Sequence, residues 1–168
     1  MPSTYTPIAS QTLAIAAASV TFSSISGSYT DLVLVASSRD TNVSSATTMF
    51  VRVNNVSSGT LYSNTLLLGD GTVAASQRAS SQNEIGVYVS TGSTAAADTF
   101  ASNILHFQNY ANTTTNKTIL ARSNNAGSTV RASVAMFRST NAITEINLLP
   151  ATTFAAGSTF TLYGVKNA

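Results

Sequence analysis

"STVRASVAMFRS" (residues 128–139) sets the reading of the chain. Apolar and polar residues alternate through it with a period of two, the signature of a half-buried β-strand. Val130, Ala132, Val134 and Met136 read as the inward set, with Arg131 and Ser133 facing out. Working outward, the same alternation recurs. "AITEINLL" (142–149) follows and is stopped by Pro150. Gly157 then turns the chain into "STFTLYGV", where Phe160 and Leu162 alternate with Thr161 and Tyr163. Upstream, "NILHFQNY" (103–110) and "KTILARSN" (117–124) flank "ANTTTN", predicting a hairpin with a six-residue loop.

Nearer the start, "ASVTFSSI" places Val20 and Phe22 on one face, and "SGSYTD" (26–31) is a turn containing Gly27. In "DLVLVASS", Leu32, Leu34 and Ala36 face one way and Val33 and Val35 the other, which predicts a strand covered twice or lying at a subunit contact. "TMFVRVNN" (48–55) sets Met49, Val51 and Val53 against Phe50 and Arg52; "NEIGVYVS" (83–90) aligns Ile85, Val87 and Val89. "LYSNTLLLGDGT" (61–72) ends in Asp70-Gly71, a turn signal. No segment has sustained helical periodicity, although "SQTLAIAAASV" could form a short helix. "STGSTAAAD" (90–98) reads as a long loop within one domain rather than a linker. Eight or nine strands are expected, forming an all-β antiparallel sandwich with a jelly roll as its expected topology. Residues 1–168 read as one domain, with 1–18 an N-terminal attachment segment or first strand.

Composition limits the chemistry. Of 168 residues only 8% are charged, against roughly 25% in an average soluble domain. The eight basic residues (Arg39, Arg52, Arg78, Lys117, Arg122, Arg131, Arg138 and Lys166) are scattered, so nothing is set out to neutralise consecutive phosphates. Polarity comes from 25 Ser, 25 Thr and 14 Asn. There is no cysteine, hence no disulfide or thiolate site. The apolar "LAIAAASV" (13–20) is too short to span a bilayer, and no Lys or Arg precedes it as in a signal peptide. The sequons at Asn42, Asn55, Asn112 and Asn116 are what chance gives in such a composition.

Candidate chemistry is sparse. The single histidine, His106, sits beside Ile104 in register and reads as a half-buried strand residue making one hydrogen bond. The carboxylates Asp31, Asp40, Asp70, Glu84, Asp98 and Glu145 show no pairing suited to hydrolysis; Asp31 and Asp70 hold turn positions and Glu145 the polar side of a strand. There is no G-x-S-x-G elbow, no calcium loop and no H-E-x-x-H helix. Phe22, Phe107, Phe137 and Phe160 read as core, whereas Tyr62, Tyr88 and Tyr110 could face solvent and stack on sugars or a neighbour, packing being the favoured role. No catalytic, cofactor or metal residue is assigned, and a ligand-binding set is left open.

Three phrases in order, "TPIASQTLAIAAASVTFSSISGSYTDLVLVASSR" (6–39), "NYANTTTNKT" (109–118) and "FRSTNAITEINLL" leading to "GSTFTLYGVK" (137–166), resemble a family of small β-sandwich virion proteins and fibre modules of tailed phages of aquatic bacteria. The resemblance implies a non-enzymatic virion component on the particle exterior, made in the host cytoplasm without a signal peptide. Two roles follow: a capsid decoration protein, or the receptor-binding tip of a tail or head fibre that recognises host surface glycans. No shaft-forming repeat is evident, which favours decoration. The implied partners are other virion proteins, such as the major capsid protein or fibre and baseplate proteins, and further copies of the chain, as in a trimer. Neither nucleic acid nor membrane insertion is implied.

Overall fold

A computed structural model describes residues 4–166, whose regular elements are all strands. In chain order they are β1 (Tyr5–Thr12), β2 (Val20–Phe22), β3 (Asp31–Ser38), β4 (Ala46–Val53), β5 (Tyr62–Gly69), β6 (Ala74–Gln82), β7 (Ile85–Thr91), β8 (Ala101–Gln108), β9 (Lys117–Asn125), β10 (Thr129–Phe137), β11 (Ile146–Leu149) and β12 (Thr159–Val165). They form two antiparallel sheets. The larger has the order β1-β12-β3-β8-β9-β10-β5-β6, the smaller β2-β11-β4-β7. The expected sandwich stands, with twelve strands in place of eight or nine.

The core lies between the sheets. Leu32, Leu34, Leu105, Phe107, Ile119, Phe160 and Leu162 line the large sheet and pack in one cluster with Val20, Phe22, Met49, Val51, Val53, Ile146 and Leu148. Burial of each such side chain contributes about 1.5–3 kcal/mol, which makes this cluster the main source of stability.

The stretch 128–139 is a strand, β10, but its faces are the reverse of the expectation. Val130, Ala132, Val134 and Met136 point outward and are exposed, while Arg131, Ser133, Ala135 and Phe137 point inward. The reason lies in β7. It pairs with β4 along one edge; on the other, Thr91 bridges Arg39 in parallel and the rest faces the inner side of the large sheet. An unpaired strand edge buried there requires hydrogen-bond partners, and side chains supply them. Val89 N donates to Ser123 Oγ at 2.6 Å, and Asn103 Nδ2 donates to Val89 O at 2.9 Å. Arg131 Nη1 donates to Val87 O at 3.2 Å, and Asn125 Nδ2 to Thr91 Oγ1 at 3.1 Å. Polar residues of β8–β10 therefore face inward because a strand edge is there to be satisfied.

Other expectations are corrected in the same way. "SQTLAIAAASV" forms no helix: β1 ends at Thr12 and the chain continues irregularly, with Ala17 bridging Phe154. The β8–β9 loop runs over 109–116, longer than expected because β8 ends at Gln108. β6, "AASQRASSQ", has no apolar alternation to reveal it; it forms by hairpin pairing with β5 around Asp70-Gly71. There Gly71 takes φ +87°, and Asp70 Oδ1 accepts the amides of Thr72 and Val73 at 2.8 and 2.7 Å. Tyr62, Tyr88 and Tyr110 are buried, not solvent-facing. Tyr62 stacks on Phe137 with ring centroids 5.0 Å apart, and its hydroxyl accepts from Val53 N at 3.0 Å and donates to Val56 O at 2.9 Å.

The segment 92–99 is a folded loop. Arg39 gathers it: Nη1 donates to the carbonyls of Ala96 and Thr99 at 2.8 and 3.0 Å, and Nη2 to those of Ser93 and Ala95 at 3.2 and 3.1 Å. Asp40, fully buried, does the complementary work on a neighbouring loop, accepting from Asn42 N and Ala151 N at 2.8 Å each and from Thr152 N at 3.3 Å.

Candidate functional site

The outer face of the large sheet is the most unusual surface. Register places Val35, Ile104, Arg122, Ala132 and Leu67 in one row across β3, β8, β9, β10 and β5. The adjacent row is Val33, His106, Leu120, Val134 and Thr65. Exposure along these rows reaches 61% at Leu67 and 41% at both Leu120 and Val134, and Val130 in the next row is 62% exposed. A shallow depression of ≈ 600 Å³ runs over the same residues. β3 thus carries apolar residues on both faces, as its sequence predicted.

Charge on this face is sparse among the described residues, and Arg138 at its border is held by Ser63 Oγ at 2.9 Å. His106 Nε2 lies 2.9 Å from Asp31 Oδ2 at the end of β3, and Asp31 Oδ1 accepts Asn109 N at 2.7 Å. His106 is half-buried with one hydrogen-bond partner, as expected, and that partner is a carboxylate. Arg122 stands near the middle with no ion-pair partner among the described residues. Arg78 lies towards the β6 edge, in register with Thr65.

A second feature is a cleft of ≈ 410 Å³ beside the free edge of β7, between the β5–β6 hairpin and the β4–β7 pair. Arg131 and Asn64 reach it from the inner face of the large sheet. Arg131 spends Nη1 on Val87 O, and its buried Nε has no hydrogen-bond partner among the described residues. Burial holds the Arg131 guanidinium below its ordinary pKa, because the charge is partly desolvated. Phe50 lies over Gly86, where an added Cβ would come within 2.8 Å of the ring, so only glycine lets the ring rest on the strand. Glu84 at the rim is held by Arg52, whose Nε and Nη2 both reach Oε2 at 2.8 Å.

Asp70 and Glu145 are spent on structure, and Asp98 is exposed in the 92–99 loop. Asp70 pins its turn, the Val73 and Thr72 amides drawing its pKa below the usual carboxylate range. Glu145 accepts Asn147 Nδ2 at 2.9 Å. Among the described residues no three His, Asp or Glu side chains are grouped to hold a metal ion. No family model matches the chain, and no curated protein matches it.

Proposed function

We propose that this chain is a non-enzymatic structural subunit on the exterior of a tailed-phage virion, a capsid decoration protein that packs against a second copy of itself through the outer face of its large sheet. The exposed apolar rows carry the assembly reading. Isolated domains rarely leave an apolar patch above a few hundred Å² uncovered. The two rows cross the five strands from β3 to β5, about 4.8 Å apart, and lie about 7 Å apart, so they project roughly 340 Å². Side-chain relief and the flanking strands enlarge this toward the ~800 Å² per partner of a standard interface. The charges suit self-association. A two-fold axis lying in the interface midway between Arg122 and Asp31 would set each copy's arginine against its partner's aspartate.

The virion assignment is supported by the resemblance of residues 6–39, 109–118 and 137–166 to phage virion proteins, and by the strand order. Setting aside β1, β12 and the β9–β10 hairpin leaves β2-β11-β4-β7 facing β3-β8-β5-β6, four strands against four. We read this as a jelly roll with an inserted hairpin, an architecture common in viral capsid domains. That is an analogy of fold, which raises the expectation without assigning a role.

Two experiments test the proposal. Sedimentation equilibrium should give a dimer for the unaltered chain and a monomer for Val134→Lys and Leu67→Lys, with the variants keeping their thermal midpoint. A monomer at every concentration, or a dimer indifferent to both substitutions, overturns the assembly reading. An antibody against the chain should label phage heads at many copies in electron micrographs. Label at fibre tips overturns decoration, and unlabelled particles overturn the virion assignment.

A further inference from the structure

We propose that the cleft beside β7 binds a carboxylate-bearing sugar, with Arg131 taking the carboxylate and Asn64 a ring hydroxyl. The inference does not rest on the assembly reading, since the cleft shares no side chain with the two apolar rows.

Arg131 carries the argument. A guanidinium has five N–H donors, and here a single one is committed, from Nη1 to Val87 O. Nη2 makes no hydrogen bond among the described residues and can donate a charge-assisted one to a carboxylate. Nε is sealed from bulk solvent without a partner. A buried donor left unpaired is destabilising, so the site is maintained at the expense of stability. An incoming anion at Nη2 would offset the desolvation of this charge.

Asn64 is the second, independent observation. It is a polar side chain only 8% exposed, it lines the cleft, and no hydrogen bond satisfies its amide among the described residues. Its carboxamide offers both donor and acceptor, which suits a hydroxyl better than an ion. Gln77 and Asn83 add amides to the wall, and the half-buried Phe50 ring adds an apolar surface on which the C–H face of a sugar can rest.

Charge selects the ligand class. Arg131 and Arg78 face the cleft; Glu84 does so too, but is neutralised by Arg52. One buried cation matches the single charge of a carboxylate. The volume of ≈ 410 Å³ falls within the roughly 300–1,000 Å³ of small-molecule sites and is polar-lined, as a polyol requires.

The test is an NMR titration of the isotope-labelled chain with sodium glucuronate, reading the Arg131 Nε–H and Asn64 side-chain resonances. Saturable shifts of both are expected, with glucose binding more weakly. Arg131→Gln should weaken binding about 10- to 100-fold, the loss expected for a charge-assisted hydrogen bond. Should that variant fail to fold, Asn64→Ala reads the same site, and the unaltered chain's Nε–H signal still decides. Absence of any shift at Arg131 Nε–H overturns the proposal. Acetate binding as tightly as glucuronate overturns the sugar assignment, and glucose binding equally well overturns the role given to the carboxylate.

Discussion

Ser123 Oγ accepts the Val89 amide proton at 2.6 Å, and so joins β9 of the large sheet to the edge strand of the small one. The same hydroxyl donates to Asn103 Oδ1, while Asn103 Nδ2 donates to Val89 O at 2.9 Å. Two side chains thus complete both halves of one residue's backbone pairing. Ser123→Ala leaves the buried Val89 N–H unpaired and should cost about 1–3 kcal/mol. Urea unfolding of Ser123→Ala, Asn103→Ala and the double variant checks this. The combined loss should fall short of the sum, because either change alone already breaks the network. Strict additivity would refute the coupling.

Tyr88 gives the opposite sign. Its hydroxyl is buried without a hydrogen-bond partner. Tyr88→Phe removes an unsatisfied group and should stabilise the chain by about 1 kcal/mol. The substitution should also alter the alkaline limit. Burial raises the pKa of Tyr62, Tyr88 and Tyr110 above the ordinary 10.0. Above that pH the unfolded chain releases protons that the folded chain keeps, so the unfolded state binds fewer and stability falls as pH rises. Stability measured from pH 8 to 11 should decline most steeply above about pH 10. Tyr88→Phe should make that decline shallower, and an unchanged slope would contradict the assignment.

Arg39 holds four carbonyls of one loop. Arg39→Ala should free residues 92–99, leaving the sandwich folded but newly cleaved there in limited proteolysis. Arg39→Lys should not restore protection, because an ammonium cannot reproduce the planar fork that spans these carbonyls. A cleavage pattern identical to that of the unaltered chain would show that the loop is held by other contacts.

Much of this fold was legible in the sequence. Leu32 and Leu34, Met49 to Val53, and Phe160 with Leu162 all lie on the faces their alternation indicates. β10 was legible as a strand but not in its facing. Hydropathy places Val130 and Val134 inside; the unpaired edge of β7 reverses them, and a partner edge leaves no mark in the local sequence. β6 escaped notice because its stability comes from pairing with β5 rather than from burial. The cleft was equally silent: Asn64 and Arg131 lie far apart in sequence and come to one cleft only through the β5–β10 pairing, in which Asn64 is the partner of Ala135, four residues on from Arg131.

In β8, β9 and β10 every odd-numbered residue faces the core and every even-numbered residue faces away. Two requirements are therefore written into one stretch of chain on interleaved positions. A complete substitution scan of these strands should separate by parity. Odd sites would govern the yield of soluble folded chain, and even sites the mass at which it sediments. Deleting Ala121 from the middle of β9 would exchange the two faces beyond that point, turning Arg122 inward and Ser123 outward. Such a frame error disturbs the interior and the outer face together, whereas a substitution disturbs at most one.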